Sequence, residues 1–203
     1  MSFATDTPLA HIFAGWEGHQ TSLVNAVASL TAGQLAFQPT PDTFPPHLAG
    51  RPTPRLRSVG ETVRHLALGR IDWFLRMNPP GGEQIAALVP AWEHDAHGNR
   101  YVDEAKIAMT ADDLVTWLER SWRLIEQTLA RWTVGDLAET YRHTYHGTTY
   151  LVSRQWTIWR ILAHDLHHGG ALALMLGMQG IDLPELGDQF GQITPVPEAP
   201  END

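Results

Sequence analysis

Cysteine is absent from the sequence, which excludes a disulfide scaffold, a cysteine-ligated zinc site and a catalytic thiol of the chain's own. Charge is scarce too. Asp, Glu, Lys and Arg make up 18% of the 203 residues against 43% hydrophobic residues, a balance suited to a packed core rather than a disordered chain. The charge that is present leans acidic, at a formal −9 with His neutral. Such a surface repels phosphate backbones, so neither nucleic acid nor an anionic membrane is expected as a partner. No stretch reaches the ~18 consecutive apolar residues of a membrane span. Met1 to Leu9 lacks the basic region and apolar run of a signal peptide, so the expected location is the cytoplasm. Neither an internal repeat nor a strand–helix alternation is visible, which argues against a parallel α/β fold.

Helical periodicity is what the sequence does contain. Leu9, Ile12, Phe13, Trp16, Leu23, Val27 and Leu30 recur at steps of three and four, or multiples of these, and predict a first helix over Pro8 to Leu30. A long connection follows from Thr31 to Arg57, in which six prolines rule out helix and central strand alike. Ser58 with Glu61 forms a capping-box pattern that opens a second helix. Its seam of Val59, Val63, Leu66, Phe74 and Met77 includes Arg70, and Asn78-Pro79-Pro80-Gly81-Gly82 stops it. Between Glu83 and Met109 the pattern is ambiguous: Ile85 to Val89 suits a short helix or a buried loop, and Glu93 to Asn99 is polar. Thr110 with Asp113 caps a third helix whose seam is Leu114, Trp117, Leu118, Ser121, Ile125, Thr128 and Trp132. A linker over Thr133 to Leu151, with Tyr141 to Tyr145 a candidate for extended chain, leads to a fourth helix from Ser153 to Met175. Four helices of about 30 Å each predict an all-α, four-helix bundle with a long proline-rich first connection. One domain is expected over residues 1–187, with a flexible tail over 188–203.

The fourth helix carries His164 and His168, four residues apart and therefore on one face. His-x-x-x-His on a helix can chelate a metal ion, although ordinary surface histidines are the commoner meaning of that spacing alone. His167 points away from the pair and is left outside it. On a helical wheel the most apolar stripe holds Trp159, Leu162, Ala163, Leu166 and Ala173, which reads as core, with the His164/His168 edge at its border facing a cleft. On the second helix His65 lies at the polar border with Glu61, Gly69 and Asp72, and Gly69 one turn later leaves room beside its ring. Three imidazoles from two helices leave coordination positions open, as catalytic metal sites do.

The order Ser58-Val-Gly-Glu-Thr-Val-Arg-His65, then Asp72-Trp73-Phe74, then His164-Asp-Leu-His-His168-Gly-Gly-Ala resembles the DinB-like superfamily. The resemblance runs from the first helix to Gly180. It implies a four-helix bundle with one divalent metal ion, zinc or nickel, on His65, His164 and His168, and a homodimer. Relatives include bacillithiol and mycothiol S-transferases and a thiol-dependent maleylpyruvate isomerase. Members commonly carry Arg-Gly-Gln after the last ligand, where this chain has Gly169-Gly170-Ala171.

Three functions fit these residues. The first is a metal-dependent transferase in which a low-molecular-weight thiol cosubstrate attacks a small electrophilic molecule. The second is a hydrolase using metal-activated water, with Asp165 or Glu61 as base, since His164-Asp165-x-x-His168 imitates His-Glu-x-x-His. The third is a non-catalytic metal- or ligand-binding stress protein. Asp165 itself reads more simply as a solvated surface acid. Glu93, His94, Asp95 and His97 read as a solvated turn, His143 and His146 as candidates for the pocket mouth, and Trp73 as a candidate pocket wall.

Overall fold

The computed structural model describes residues 4–39 and 56–181. Most of the expected proline-rich connection, and the tail from Asp188, lie outside the described residues. Helices dominate: α1 (Leu9–Ile12), α2 (Trp16–Ala28), α3 (Ala32–Ala36), α4 (Val59–Arg76), α5 (Gly82–Ala86), α6 (Ala111–Arg131) and α7 (Arg154–Gly177). Two antiparallel hairpins join them, β1 (Trp92–His94) with β2 (Arg100–Val102) and β3 (Thr140–Tyr145) with β4 (Thr148–Ser153). Short 3₁₀ turns cover Glu104–Lys106 and Val134–Ala138.

α4 occupies the centre, packing against α6 on one side and α7 on the other, while α6 also packs against α2. The seams explain this arrangement. Val59, Val63, Leu66, Ile71 and Phe74 of α4 are buried against Leu114, Leu118, Leu124 and Ile125 of α6 in one continuous core. The helix starts follow the side chains that cap them. Glu61 N donates to Ser58 Oγ and Ser58 N donates to Glu61 Oε2, and Thr110 and Asp113 repeat this exchange at α6.

Four expectations are corrected. The single first helix is broken into α1 and α2, because Gly15 adopts φ +97° ahead of Trp16 and its N–H donates to Glu17 Oε2. The first connection contains α3, started by a capping box of Thr31 and Gln34. The ambiguous segments fold as hairpins, so the chain is mostly helical rather than purely so; His146 (φ +46°) and Gly147 (φ +78°) make the β3–β4 turn in the left-handed region that a two-residue hairpin requires. Finally, the apolar stripe of the last helix does not face the core. Trp159 is 60% exposed and Ala163 is exposed, whereas Ile158, Ile161, Asp165, Leu172 and Met175 are buried.

Candidate metal centre

His65 stands two turns into α4, on the side that packs against α7, and meets His164 and His168. One ligand nitrogen from each ring falls within 4.8 Å of the others. The Nε2 atoms of His65 and His164 are 3.1 Å apart. Two ligands at ~2.05 Å from one ion would be separated by about 2.9 Å at a right angle and about 3.3 Å at the tetrahedral angle. The spacing therefore suits a shared ion. Gly69 makes the approach possible in a way the sequence did not suggest: a Cβ there would meet His164 Cε1 at 3.2 Å, so the glycine clears space for the ring of α7 rather than for His65.

Glu104, in the turn after β2, orients the first ligand. Its Oε1 lies 2.6 Å from His65 Nδ1. A carboxylate can only accept, so Nδ1 carries a proton, and Nε2 is the nitrogen turned toward His164. The turn is itself tied to α4, since Arg64 donates to the Ile107 carbonyl at 2.9 Å. Sequence reasoning missed Glu104 because it lies in an irregular stretch with no periodicity to align it with His65.

Burial disfavours the charged form of the rings on α7. Burial first, then the neighbouring His168 and His65, lowers His164 to about 3. Burial and the nearby His65 lower His168 to about 4. Among the described residues His164 Nδ1 is buried without a hydrogen-bond partner. Three converging imidazoles, one held by a carboxylate, could hold a metal ion. His167 is exposed, as expected. Replacing Glu104 with Ala should weaken zinc binding about 10–100-fold while leaving the fold intact, measured by competition with a chromophoric chelator.

Asp165 is not the solvated acid expected from sequence. It is fully buried and ion-paired to Arg70, which is fully buried as well, at 2.8 Å. Arg70 Nε donates to both carboxylate oxygens and Trp16 Nε1 donates to Oδ2 at 2.8 Å, while Gln20 Oε1 accepts from the guanidinium at 2.5 Å. This network joins α2, α4 and α7 directly behind the histidines. Asp165 therefore positions the helices and is not placed to activate water. Glu61, the other candidate base, accepts the Ser58 N–H as a helix cap.

His65 and His164 border a cavity of about 210 Å³ that also takes in Asp72, Trp73, Tyr101, Glu104 and Arg160. Asp72 pairs with Arg76 at 2.8 Å, and Arg76 donates to His143 Nδ1 at 2.8 Å. Burial raises Asp72 and lowers His143 from their ordinary values. Trp73 thus lines the cavity as expected, whereas His143 stands behind Trp73 and Arg76 rather than in the lining, and His146 sits at the hairpin turn. The Glu93-to-Asn99 stretch is a hairpin turn in which Asp95 caps His97 and Asn99, and it gathers no metal-ligand cluster among the described residues.

A mostly helical protein whose two central helices bring three histidines to one point defines the class. The model of the DinB superfamily matches residues 16–172, and the chain belongs to that superfamily, which includes metal-binding members. A crystal structure of a DinB-like protein from Bacillus cereus is similar to it in fold, with a TM-score of 0.56 and 13% identity over 83% of this chain and 91% of that one. No curated protein matches the sequence. No helix among the described residues is long and apolar enough to cross a membrane.

Proposed function

We propose that His65, His164 and His168 hold one divalent ion, zinc or nickel, within a DinB-type four-helix bundle formed by α2, α4, α6 and α7, and that the site transfers a low-molecular-weight thiol to a small electrophile. The observation that carries this reading is the convergence of three imidazoles from two helices, two of them lining a cavity. Such an ion, when bound, favours thiolate over thiol at neutral pH. The chain has no cysteine, so the sulfur must come from a second substrate. That sulfur forms the new bond to the electrophilic carbon, the leaving group departs with its electron pair, and the thiol proton passes to solvent. Glu104 holds His65 in the ligating tautomer, and Trp73 and Arg160 wall the approach.

A panel of small thiols with model electrophiles tests the reaction. Turnover that needs both the metal and the thiol supports it. Absence of any metal-dependent turnover with stoichiometric metal still bound would overturn thiol transfer in favour of a metal-binding role without catalysis.

We also infer a homodimer through the outer face of α7. Trp159, Ala163, Leu166, Gly170, Ala173 and Gly177 follow alternating steps of four and three, and among the described residues much of this face is open: Trp159 is 60% and Leu174 67% exposed. An antiparallel two-fold between Leu166 and His167 sets Ala163 against Gly170 and Trp159 against Leu174, a self-complementary stripe without Asp, Glu, Lys or Arg. Ala163→Glu is expected to convert a dimer to a monomer in sedimentation velocity at micromolar concentration. A wild-type monomer at that concentration refutes the interface.

A further inference from the structure

The larger cavity of the protein, about 540 Å³, is not the one that borders the histidines. It lies between α4, the β3–β4 hairpin and the start of α7, and its lining includes Trp73, His143, Tyr145, Tyr150, Trp156 and Arg160. Trp73 and Arg160 line both cavities, so the two share a wall.

Two features of this cavity specify a ligand. The first is its aromatic content. The rings of Trp73 and Trp156 are 5.8 Å apart at 58°, and His143 stands edge-on to Trp73 at 5.2 Å. Tyr145, Tyr150 and Trp156 are 60%, 50% and 48% exposed, which leaves their faces open to a guest. The second is Arg160. Its guanidinium carbon lies 4.4 Å from the Trp73 ring centroid and 5.4 Å from that of Trp156. Neighbouring arginines are neutralised by carboxylates, Arg76 by Asp72 and Arg154 by Glu139. Among the described residues Arg160 has no carboxylate partner and no hydrogen bond. In a protein of net charge −9, an uncompensated guanidinium held on two tryptophans is a fork of donors matched in shape to one carboxylate. One free cation among apolar walls balances a monoanion better than a phosphate dianion.

We propose that this cavity binds small carboxylates bearing a planar unsaturated or aromatic group, with the carboxylate on Arg160 and the π-system against Trp73 and Trp156. The inference deepens the proposed function, resting on its reading of the site as one for a small electrophile, and it names that molecule's chemical class.

The test is binding, without metal or thiol. Protein stripped with EDTA is titrated calorimetrically with trans-cinnamate, with cinnamamide, which keeps the π-system and loses the charge, and with acetate, which keeps the charge and loses the ring. Cinnamate is expected to bind at least tenfold more tightly than either. Arg160→Gln should lose that tenfold for cinnamate and leave cinnamamide unchanged; Trp156→Ala, at a half-exposed position that should fold normally, should weaken both. Equal affinity for cinnamate and cinnamamide, no binding of cinnamate, or an Arg160→Gln variant of wild-type affinity would each overturn the proposal. Loss of thiol turnover with cinnamate binding intact would instead remove the transfer reaction and leave this pocket standing.

Discussion

Asp165→Ala is expected to destabilise the protein by about 3–5 kcal/mol, because it leaves a buried guanidinium with no counter-charge. Arg70 and Asp165 are both fully buried, so water cannot take the place of the missing carboxylate. Trp16 loses an acceptor in the same step, since its indole N–H donates to Asp165 Oδ2, and an unsatisfied buried donor costs about 1–3 kcal/mol of its own within that range. The contrast that identifies the cause is the double variant Arg70→Met/Asp165→Leu. With both charges replaced by apolar groups of similar size, the cost of the unpaired guanidinium disappears and part of the stability should return, while Trp16 Nε1 and Gln20 Oε1 stay without their partners. Urea denaturation of the single and double variants measures both effects. A loss below about 1 kcal/mol for Asp165→Ala would mean that the pair is neither dry nor structurally required.

The same pair shows where sequence reasoning succeeds and where it stops. Arg70 falls in the seam of its helix, at the same spacing as Val63, Leu66 and Phe74, so its burial was legible as a charged residue in an apolar row. Its partner was not. Asp165 lies 95 residues away, on a helix whose buried face sets Thr157, Asp165 and Gly169 among Ile158, Ile161, Leu172 and Met175, while large apolar residues Trp159 and Leu174 stand exposed on its other side. Periodicity finds the apolar side of a helix, and α7 carries apolar residues on two sides, so the wheel alone could not tell which one enters the core. The side that enters the core is the one that also brings the histidines and the ion pair against α4. The capping boxes at Ser58 and Thr110 were readable because both partners are local. Glu104 and the first hairpin were not, and of the second only Tyr141 to Tyr145, now in β3, stood out as extended. The β3–β4 turn is His146-Gly147, which lacks the Asn-Gly signature, and Glu104 reaches His65 through a turn after β2 that has no repeating pattern.

The histidines themselves were legible from order and spacing, and removing them has the second large expected effect. Each of His65→Ala, His164→Ala and His168→Ala should lower metal content from one equivalent to background in elemental analysis of purified protein, because two imidazoles and open water positions hold an ion far more weakly than three fixed ones. A chemically independent readout exists in the metal-free state. Folded His164 and His168 titrate near 3 and 4, whereas in the unfolded chain both take up protons near 6.5. Between those limits the unfolded state binds more protons, so the stability of the apoprotein is full above about pH 6.5 and is lost as pH falls through that value toward the folded ones. The slope is at most about 1.4 kcal/mol per pH unit for each ring, and less in practice because both keep some contact with solvent. His164→Ala should flatten this acid-side decline between pH 6 and 4 by removing the more strongly shifted ring. A variant that keeps its metal, or an apoprotein whose melting temperature does not fall over that interval, would show that the three rings do not share one partly desolvated site.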